Sequence, residues 1–242
     1  FLTSRTFRPP SLEELFSEGP HLASYSFDIG NTNLKAERAW TSEINYEFIN
    51  SRVMVSTSLF RNYFDSYNFF VNTNQSSNRY PDLYYYQVKG VTAEMMGLEA
   101  EFYFSITNKH SIKSSLSFIE ASFREDNNAD FKPIPFTPPL KISTEYIFNF
   151  TNGYTGVIYT FSDKQDRVGE FETITESYNK LDFYLQYNFI NKNNLLKAST
   201  FSTLSLNVQN IFNTEYYNHL SRIKDLVPEM GRRFMISYKI YY

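Results

Sequence analysis

Residues 231–242, which read G-R-R-F-M-I-S-Y-K-I-Y-Y, constrain this chain most. Phe234, Ile236, Tyr238, Ile240 and Tyr242 share one parity, and Arg233, Met235, Ser237, Lys239 and Tyr241 share the other. Successive side chains of an extended chain point to opposite faces, so the first set forms an apolar, aromatic-rich face backed by a more polar one. Two environments suit such a strand. One lies between lipid and the wet lumen of a membrane barrel; the other is the last strand of a soluble sandwich.

The rest of the chain weighs for the barrel. After an opening remnant at 1–7, alternation and turn residues predict nine strands, at 37–50, 52–71, 84–105, 110–123, 140–150, 154–161, 180–191, 202–217 and 231–242. Most are longer than the usual five or six residues. Leu98 and Phe102 alternate with Glu99 and Glu101; Leu181, Phe183 and Leu185 flank Asp182. We expect Leu98, Phe102, Leu181, Phe183, Leu185, Ile236, Tyr238 and Ile240 to face lipid, and Glu99, Glu101, Asp182 and Lys239 the lumen. Parity blurs after Phe60. The connections alternate between mostly short turns and long polar loops at 9–36, 72–83, 124–139, 162–177 and 218–230. Outer-membrane barrels sort their loops this way, with short turns in the periplasm and long loops outside. That places Tyr242 on the periplasmic side. Each strand should pair with its sequence neighbour in an antiparallel meander. Nine strands plus a remnant form an open curved sheet of about nine or ten strands.

Composition narrows function by exclusion. Aromatics make up 19% of residues, with 20 Tyr and 24 Phe, which suits strands and membrane interfaces. No apolar run is long enough for a transmembrane helix, a test that barrels escape because only alternate residues meet lipid. The net charge of −3, with no Lys/Arg block, argues against nucleic acid as a partner. Without cysteine there is no thiolate catalysis, disulfide or thiolate metal site. Neither a glycine-rich phosphate loop nor a zinc-binding His spacing occurs, and we expect no cofactor and no resident metal.

Local motifs add a family resemblance. In Phe7-Arg8-Pro9-Pro10-Ser11-Leu12-Glu13-Glu14-Leu15, Ser11 and Glu14 form a capping box that predicts a short helical turn. Gly30-Asn31-Thr32-Asn33-Leu34-Lys35-Ala36-Glu37 precedes a strand; Gly97-Leu98-Glu99-Ala100-Glu101 lies within one; Asn210-Ile211-Phe212-Asn213-Thr214-Glu215-Tyr216 closes the penultimate one. These motifs and the closing strand, in this order, resemble the barrel of TonB-dependent outer-membrane receptors. The final aromatic, with Phe234, Tyr238 and Ile240, is similar to the sorting signal of outer-membrane barrels.

The resemblance implies residues 1–242 to be the C-terminal portion of a plugged 22-stranded barrel. The plug and the N-terminal strands would lie upstream of Phe1. It further implies a receptor, not an enzyme, in the bacterial outer membrane, importing a scarce ligand such as a ferric siderophore, cobalamin or glycan. Its partners would be outer-membrane lipid, the TonB complex, the barrel-assembly machinery during biogenesis, and a small-molecule or metal-chelate ligand. Two alternatives stay open: a barrel captured as a client of the assembly machinery, and a small outer-membrane barrel hydrolase. For the second, His219 with Ser221 is the one hint.

Ligand contacts are expected on the long loops, which a rigid scaffold would carry. Tyr25, Arg79, Tyr80, Tyr84, Arg167, Tyr217 and Arg222 are the candidates, because aromatic and Arg side chains suit binding hot spots and anionic chelates. Phe27, Tyr85, Phe131, Phe136, Phe171, Tyr216 and Lys224 accompany them. His21 and His219 read as solvent-exposed loop residues, and His110 falls at a short turn.

Overall fold

The computed structural model describes all residues except 23–24, 126–127, 170–171, 194–197 and 242, and side chains outside 191–200. The elements are β1 (Leu2–Arg8), α1 (Leu12–Phe16), β2 (Glu18–His21), β3 (Ser26–Ile29), β4 (Glu37–Ile49), β5 (Val53–Ser76), β6 (Tyr84–Thr107), β7 (His110–Arg124), β8 (Lys132–Pro133), β9 (Lys141–Phe150), β10 (Gly153–Ser162), β11 (Tyr178–Asn193), β12 (Ala198–Gln209) and β13 (Arg233–Tyr241). Ten of them form one path in the order β1-β4-β5-β6-β7-β9-β10-β11-β12-β13, all antiparallel. β1 and β13 are its two edges, and they do not pair with each other among the described residues. This is the open meander expected. The short β2, β3 and β8 are additions at the long-loop end, and β3 pairs with β6 in parallel.

Short connections bring strands together at one end. Asn50 Oδ1 accepts from the backbone N–H groups of Arg52 and Val53, both at 2.8 Å, which turns β4 into β5 within three residues. β6 turns into β7 at 108–109, with Thr107 Oγ1 accepting from Lys109 N and His110 N. The long connections all lie at the opposite end.

Residues directly opposite on paired strands share a face. Ile44, Leu59, Leu98 and Phe118 form one such row; Val157, Phe183, Val208 and Phe234 form another. Leu185, Leu206 and Ile236 form a third. The other face carries the row Ser56, Glu101, Ser115, Ser143, Thr160, Lys180 and the row Asn188, Thr203, Lys239. A hollow of about 620 Å³ on this polar face touches Tyr103 of β6, Glu145 of β9 and Asn207 of β12. A single hollow can reach so many successive strands only on the inside of a curved sheet. The polar face is therefore the concave one, and the apolar face is the outside of a partial barrel.

The outer face carries an aromatic chain at the short-turn end. Rings run from His110 to Phe148, Phe150, Tyr187, Phe189 and Tyr238, with centroids 4.8–6.3 Å apart. Aromatic girdles of this kind mark the interfacial heights of membrane barrels. Within the wall, Gly97 lets Phe60 lie flat across the inner face: a Cβ there would fall 2.4 Å from Phe60 Cζ and 2.6 Å from the Phe118 carbonyl oxygen.

Toward the long-loop end the pattern changes. The register between β5 and β6 shifts between Phe64 and Tyr67, a bulge that explains the loss of parity after Phe60. Above it, Val91, Ala93, Ala121, Phe123 and Ile134 are buried, with Phe64, Tyr67, Phe69 and Met95 packed on them. Apolar packing has replaced the solvated inner face at this height.

Three strand ends differ clearly from expectation: β5 runs on to Ser76, past the expected 71, β12 begins at Ala198, before the expected 202, and the far end of β12 differs most. The penultimate strand stops at Gln209, eight residues before the expected end at 217. Asn210 and Asn213 adopt positive φ, 51° and 55°, which ends strand geometry. Asn210 bonds Thr214 twice, through Oδ1 to its N–H at 2.9 Å and through Nδ2 to its carbonyl at 2.8 Å. Asn213 Oδ1 accepts from Arg232 N at 2.8 Å, and Asn210 N donates to Asp182 Oδ1 at 2.7 Å. The N-I-F-N-T-E-Y segment is a loop knot that ties β11 to the start of β13.

Candidate functional site

The first two motifs meet in a single ion cluster. Arg8 Nε donates to Glu37 Oε2 at 2.7 Å, and its two terminal nitrogens donate to the Glu14 carboxylate at 2.7 and 3.0 Å. Glu37 is buried, and its other oxygen accepts from Asn68 N at 2.8 Å, just beyond the β5 bulge. The capping box forms as expected: Ser11 Oγ accepts from Glu14 N, and Glu14 accepts from Ser11 N. Burial pushes the Glu14 carboxyl up, but Arg8 and the Ser11 bonds outweigh it and hold the group below the usual range. Gly30 closes the joint. Its N–H donates to Ser17 O at 2.7 Å, and a Cβ would sit 2.5 Å from the Leu15 carbonyl carbon. This cluster fixes the 9–36 loop on the rim and leaves no free charge for a ligand.

A second buried cluster joins three loops. Glu172, from the loop after β10, accepts from Phe136 N through Oε1 at 2.8 Å and from Gly169 N through Oε2 at 2.9 Å. His219, from the loop after β12, places Nε2 2.9 Å from Glu172 Oε1; these side chains are 1% and 3% exposed. That contact is not aligned as a hydrogen bond and acts through charge and dipole. His219 Nδ1 lies 2.8 Å from Thr175 Oγ1, and Lys224 Nζ donates to the same oxygen at 2.7 Å and to Thr173 O. An ammonium has only donors, so Thr175 Oγ1 accepts from Lys224, and its hydroxyl and Nδ1 share one further hydrogen. A carboxylate only accepts, so a hydrogen on Nε2 is the arrangement that suits its 2.9 Å approach to Glu172. Burial raises the Glu172 carboxyl, yet His219 and the Gly169 and Phe136 amides together hold it below its ordinary value. Burial also lowers the Lys224 ammonium, against the pull of Asp225 and Glu172.

His219 is therefore not the exposed loop residue expected; it is 2% exposed and anchors two loops. Nor does it bond Ser221, whose N–H closes a turn to Asn218 O. His21 lies 3.6 Å from Asp28 in the β2–β3 hairpin.

The candidate ligand residues fall into separate groups. Arg222 sits between two rings, its Cζ 5.6 Å from the Tyr86 centroid and 5.4 Å from that of Phe136. Its loop follows β12, yet it reaches β6 and the loop after β7, so these segments converge at the long-loop end. No carboxylate pairs with it among the described residues. Arg79 lies over Tyr80 at 5.6 Å, and Tyr80 and Tyr85 flank Phe27. Tyr25, at φ 52°, and Tyr84 are exposed beside this group. Tyr217 donates to Glu215 and lines a hollow of about 420 Å³ with Tyr178, Tyr216 and Lys224. Arg167 is already spent, with Glu120 at 2.9 Å and Ser122 Oγ at 3.1 Å. Phe171 and Tyr242 lie outside the described residues. Phe234, Tyr238 and Ile240 lie on the apolar face of the edge strand β13. Sequence reasoning missed Tyr86, Glu172 and Thr175. A lone Glu or Thr in a polar loop carries no period that could reveal it.

An open up-and-down sheet with an apolar convex face, a polar concave face and loops sorted by length defines a class, the transmembrane β-barrel. The sequence model of the TonB dependent receptor-like β-barrel matches residues 3–211, and the chain belongs to that family. Its fold is similar to the copper transporter OprC, with TM-score 0.78 at 18% identity over 98% of this chain and 36% of that one. It is also similar to the ferric-catecholate import receptor Fiu from K12 E. coli, with TM-score 0.64 at 19% identity over 99% and 32%. The ferric enterobactin receptor PfeA from Pseudomonas aeruginosa gives TM-score 0.65 at 17% identity over 99% and 37%. The chain thus spans about a third of the length of the structures it matches.

Proposed function

We propose that this chain is the C-terminal portion of the barrel of an outer-membrane uptake receptor that captures an anionic metal chelate and imports it with energy delivered through TonB. Family membership supports the receptor class. The convex apolar face, with its aromatic chain, supports an outer-membrane location, and the concave polar face supports a lumen filled by a plug or by water. Arg222 is the observation that carries the ligand reading. A guanidinium stacked between two aromatic rings, without a carboxylate partner among the described residues, keeps its in-plane donors for an incoming anion. Arg79 with Tyr80, and the exposed Tyr25, Tyr84 and Tyr217, supply a further aromatic surface around the mouth; Arg167 supports the loops through Glu120 instead. On this reading the chain is not an enzyme.

The test is uptake in a strain lacking the full-length receptor, complemented with wild type or Arg222→Gln. Radiolabelled ferric chelates, cobalamin and oligosaccharides are offered in turn. We expect import of an anionic chelate by wild type, its loss when TonB is deleted, and a weaker apparent affinity for Arg222→Gln. Preferred uptake of a neutral oligosaccharide, unaffected at Arg222, would refute the anion reading.

A further inference from the structure

Resting on that reading of Arg222, the geometry points to a positioning residue that stands behind it: we propose that the buried Glu172 carboxylate presents the Arg222 guanidinium by holding both elements that define its place. The first is Phe136, one wall of the sandwich. Its backbone is left-handed, at φ 58°, a conformation that is uncommon for a side chain of this size and needs outside support. Glu172 Oε1 supplies that support by accepting from Phe136 N at 2.8 Å. The second is the loop that bears Arg222. His219 lies three residues earlier, its Nε2 2.9 Å from the same oxygen. Bonds from Ser221 N to Asn218 O at 3.0 Å and from Lys224 N to Ser221 O at 3.2 Å make 218–224 a run of tight turns. A single oxygen atom therefore fixes the ring and the loop whose meeting stacks the guanidinium.

Charge at Glu172 is part of the device. The carboxylate accepts from two backbone donors, one on each oxygen, and has the imidazole Nε2 of His219 2.9 Å from Oε1. A glutamine has one oxygen, and its amide nitrogen would confront at least one of these donors. Glu172→Gln keeps the volume and loses the match. Lys224 and Thr175 brace His219 from the other side, so Thr175→Val should displace the same loop more weakly.

Arg222 can be read out without knowing the ligand. The full-length receptor in outer-membrane vesicles is treated with phenylglyoxal, which modifies guanidinium groups, and each arginine-bearing peptide is quantified by mass spectrometry. Arg61, paired with Glu94 at 2.6 Å in the wall, serves as the internal reference. In wild type we expect Arg222 to react slowly for an exposed arginine. In Glu172→Gln and Glu172→Ala its rate should rise roughly three- to tenfold, the protection a cation–π contact of this kind confers, while Arg61 stays unchanged. Phe136→Ala should give the same rise, since it removes the wall itself. An unchanged Arg222 rate in both Glu172 variants would overturn the proposal. So would a parallel rise at Arg61, which would make Glu172 a general support of the barrel. If Glu172 behaves as proposed but an imported chelate fails to shield Arg222, the anion reading fails alone.

Discussion

The concave side of this sheet is two different surfaces at two heights. In the wall it is lined by Ser56, Ser58, Glu99, Glu101, Ser115, Ser117, Lys141 and Ser143, small or charged groups around open space. Nearer the long-loop end the same side carries Val91, Ala93, Ala121, Phe123 and Ile134, packed and dry. The strands are continuous between these heights; β6 alone runs from Tyr84 to Thr107. What differs is what each face meets. In the wall the outside is apolar and the inside is wet, so a period of two is imposed on every strand. Above it, loops fold inward and give the inner side an apolar partner, and the constraint that produced alternation is gone.

That difference should appear first in the core. Phe123→Ala removes a buried ring and should cost about 3–5 kcal/mol at its site. Because the ring serves the upper layer, the loss should be local. Hydrogen exchange should speed up in residues 88–95 and 119–124 and stay slow in residues 97–104. Equal loosening at both heights would break the distinction.

In the wall the distinction is one of face. Leu98→Lys puts a charge into hydrocarbon at roughly 2–4 kcal/mol for a midplane site. Glu99→Lys, one residue on, puts the same charge into the lumen and should assemble normally. Heat-modifiable folded protein on a gel measures both. Equal levels of the two variants would overturn the assignment of faces. The Gly97→Ala change tests the close approach inside the same strand. The new methyl meets Phe60 and the Phe118 carbonyl, and overpacking of this kind costs about 1–3 kcal/mol. Adding Phe60→Leu should recover most of it, as read from the urea midpoint.

The two heights also mark where the sequence was readable. Strand order, loop sorting and the lipid-facing set were legible because alternation is a direct imprint of two unlike media. The Ser11–Glu14 capping box was legible because its bonds span three residues. The joint between Arg8, Glu14 and Glu37 lay hidden in two motifs that looked independent, since nothing in their spacing says that they touch. Asn210 and Asn213 were read as strand because residues 210–216 resemble a motif that closes the penultimate strand; their positive φ is a choice of Asn side chains that bond locally. His219 was misplaced for a related reason. Its partners come from residues 172–175, and a loop histidine looks the same in sequence whether buried or free. The parallel pairing of β3 with β6 had no signal, as a strand of four residues inside a long loop fits many registers.

The smallest effect tests the rim, where the two surfaces join. Ser11→Ala deletes the acceptor for Glu14 N and should cost about 1 kcal/mol of local stability. It also loosens Glu14 from its place beside Arg8. The Glu14 carboxyl sits below its ordinary value in the folded protein, so the unfolded state binds the proton more tightly. The contribution is therefore full at neutral pH, above the unfolded value near 4.3, and is lost as acid drives the pH down through the lower folded value. Glu14→Gln should mimic acid at neutral pH and remove further acid sensitivity from the joint. Hydrogen exchange at residues 12–17, followed from pH 7 to pH 3 with correction for intrinsic rates, measures both variants. Protection that persists unchanged in acid for wild type would mean that Arg8 holds the rim through Glu37 alone, and that α1 is fixed by Gly30 packing and not by charge.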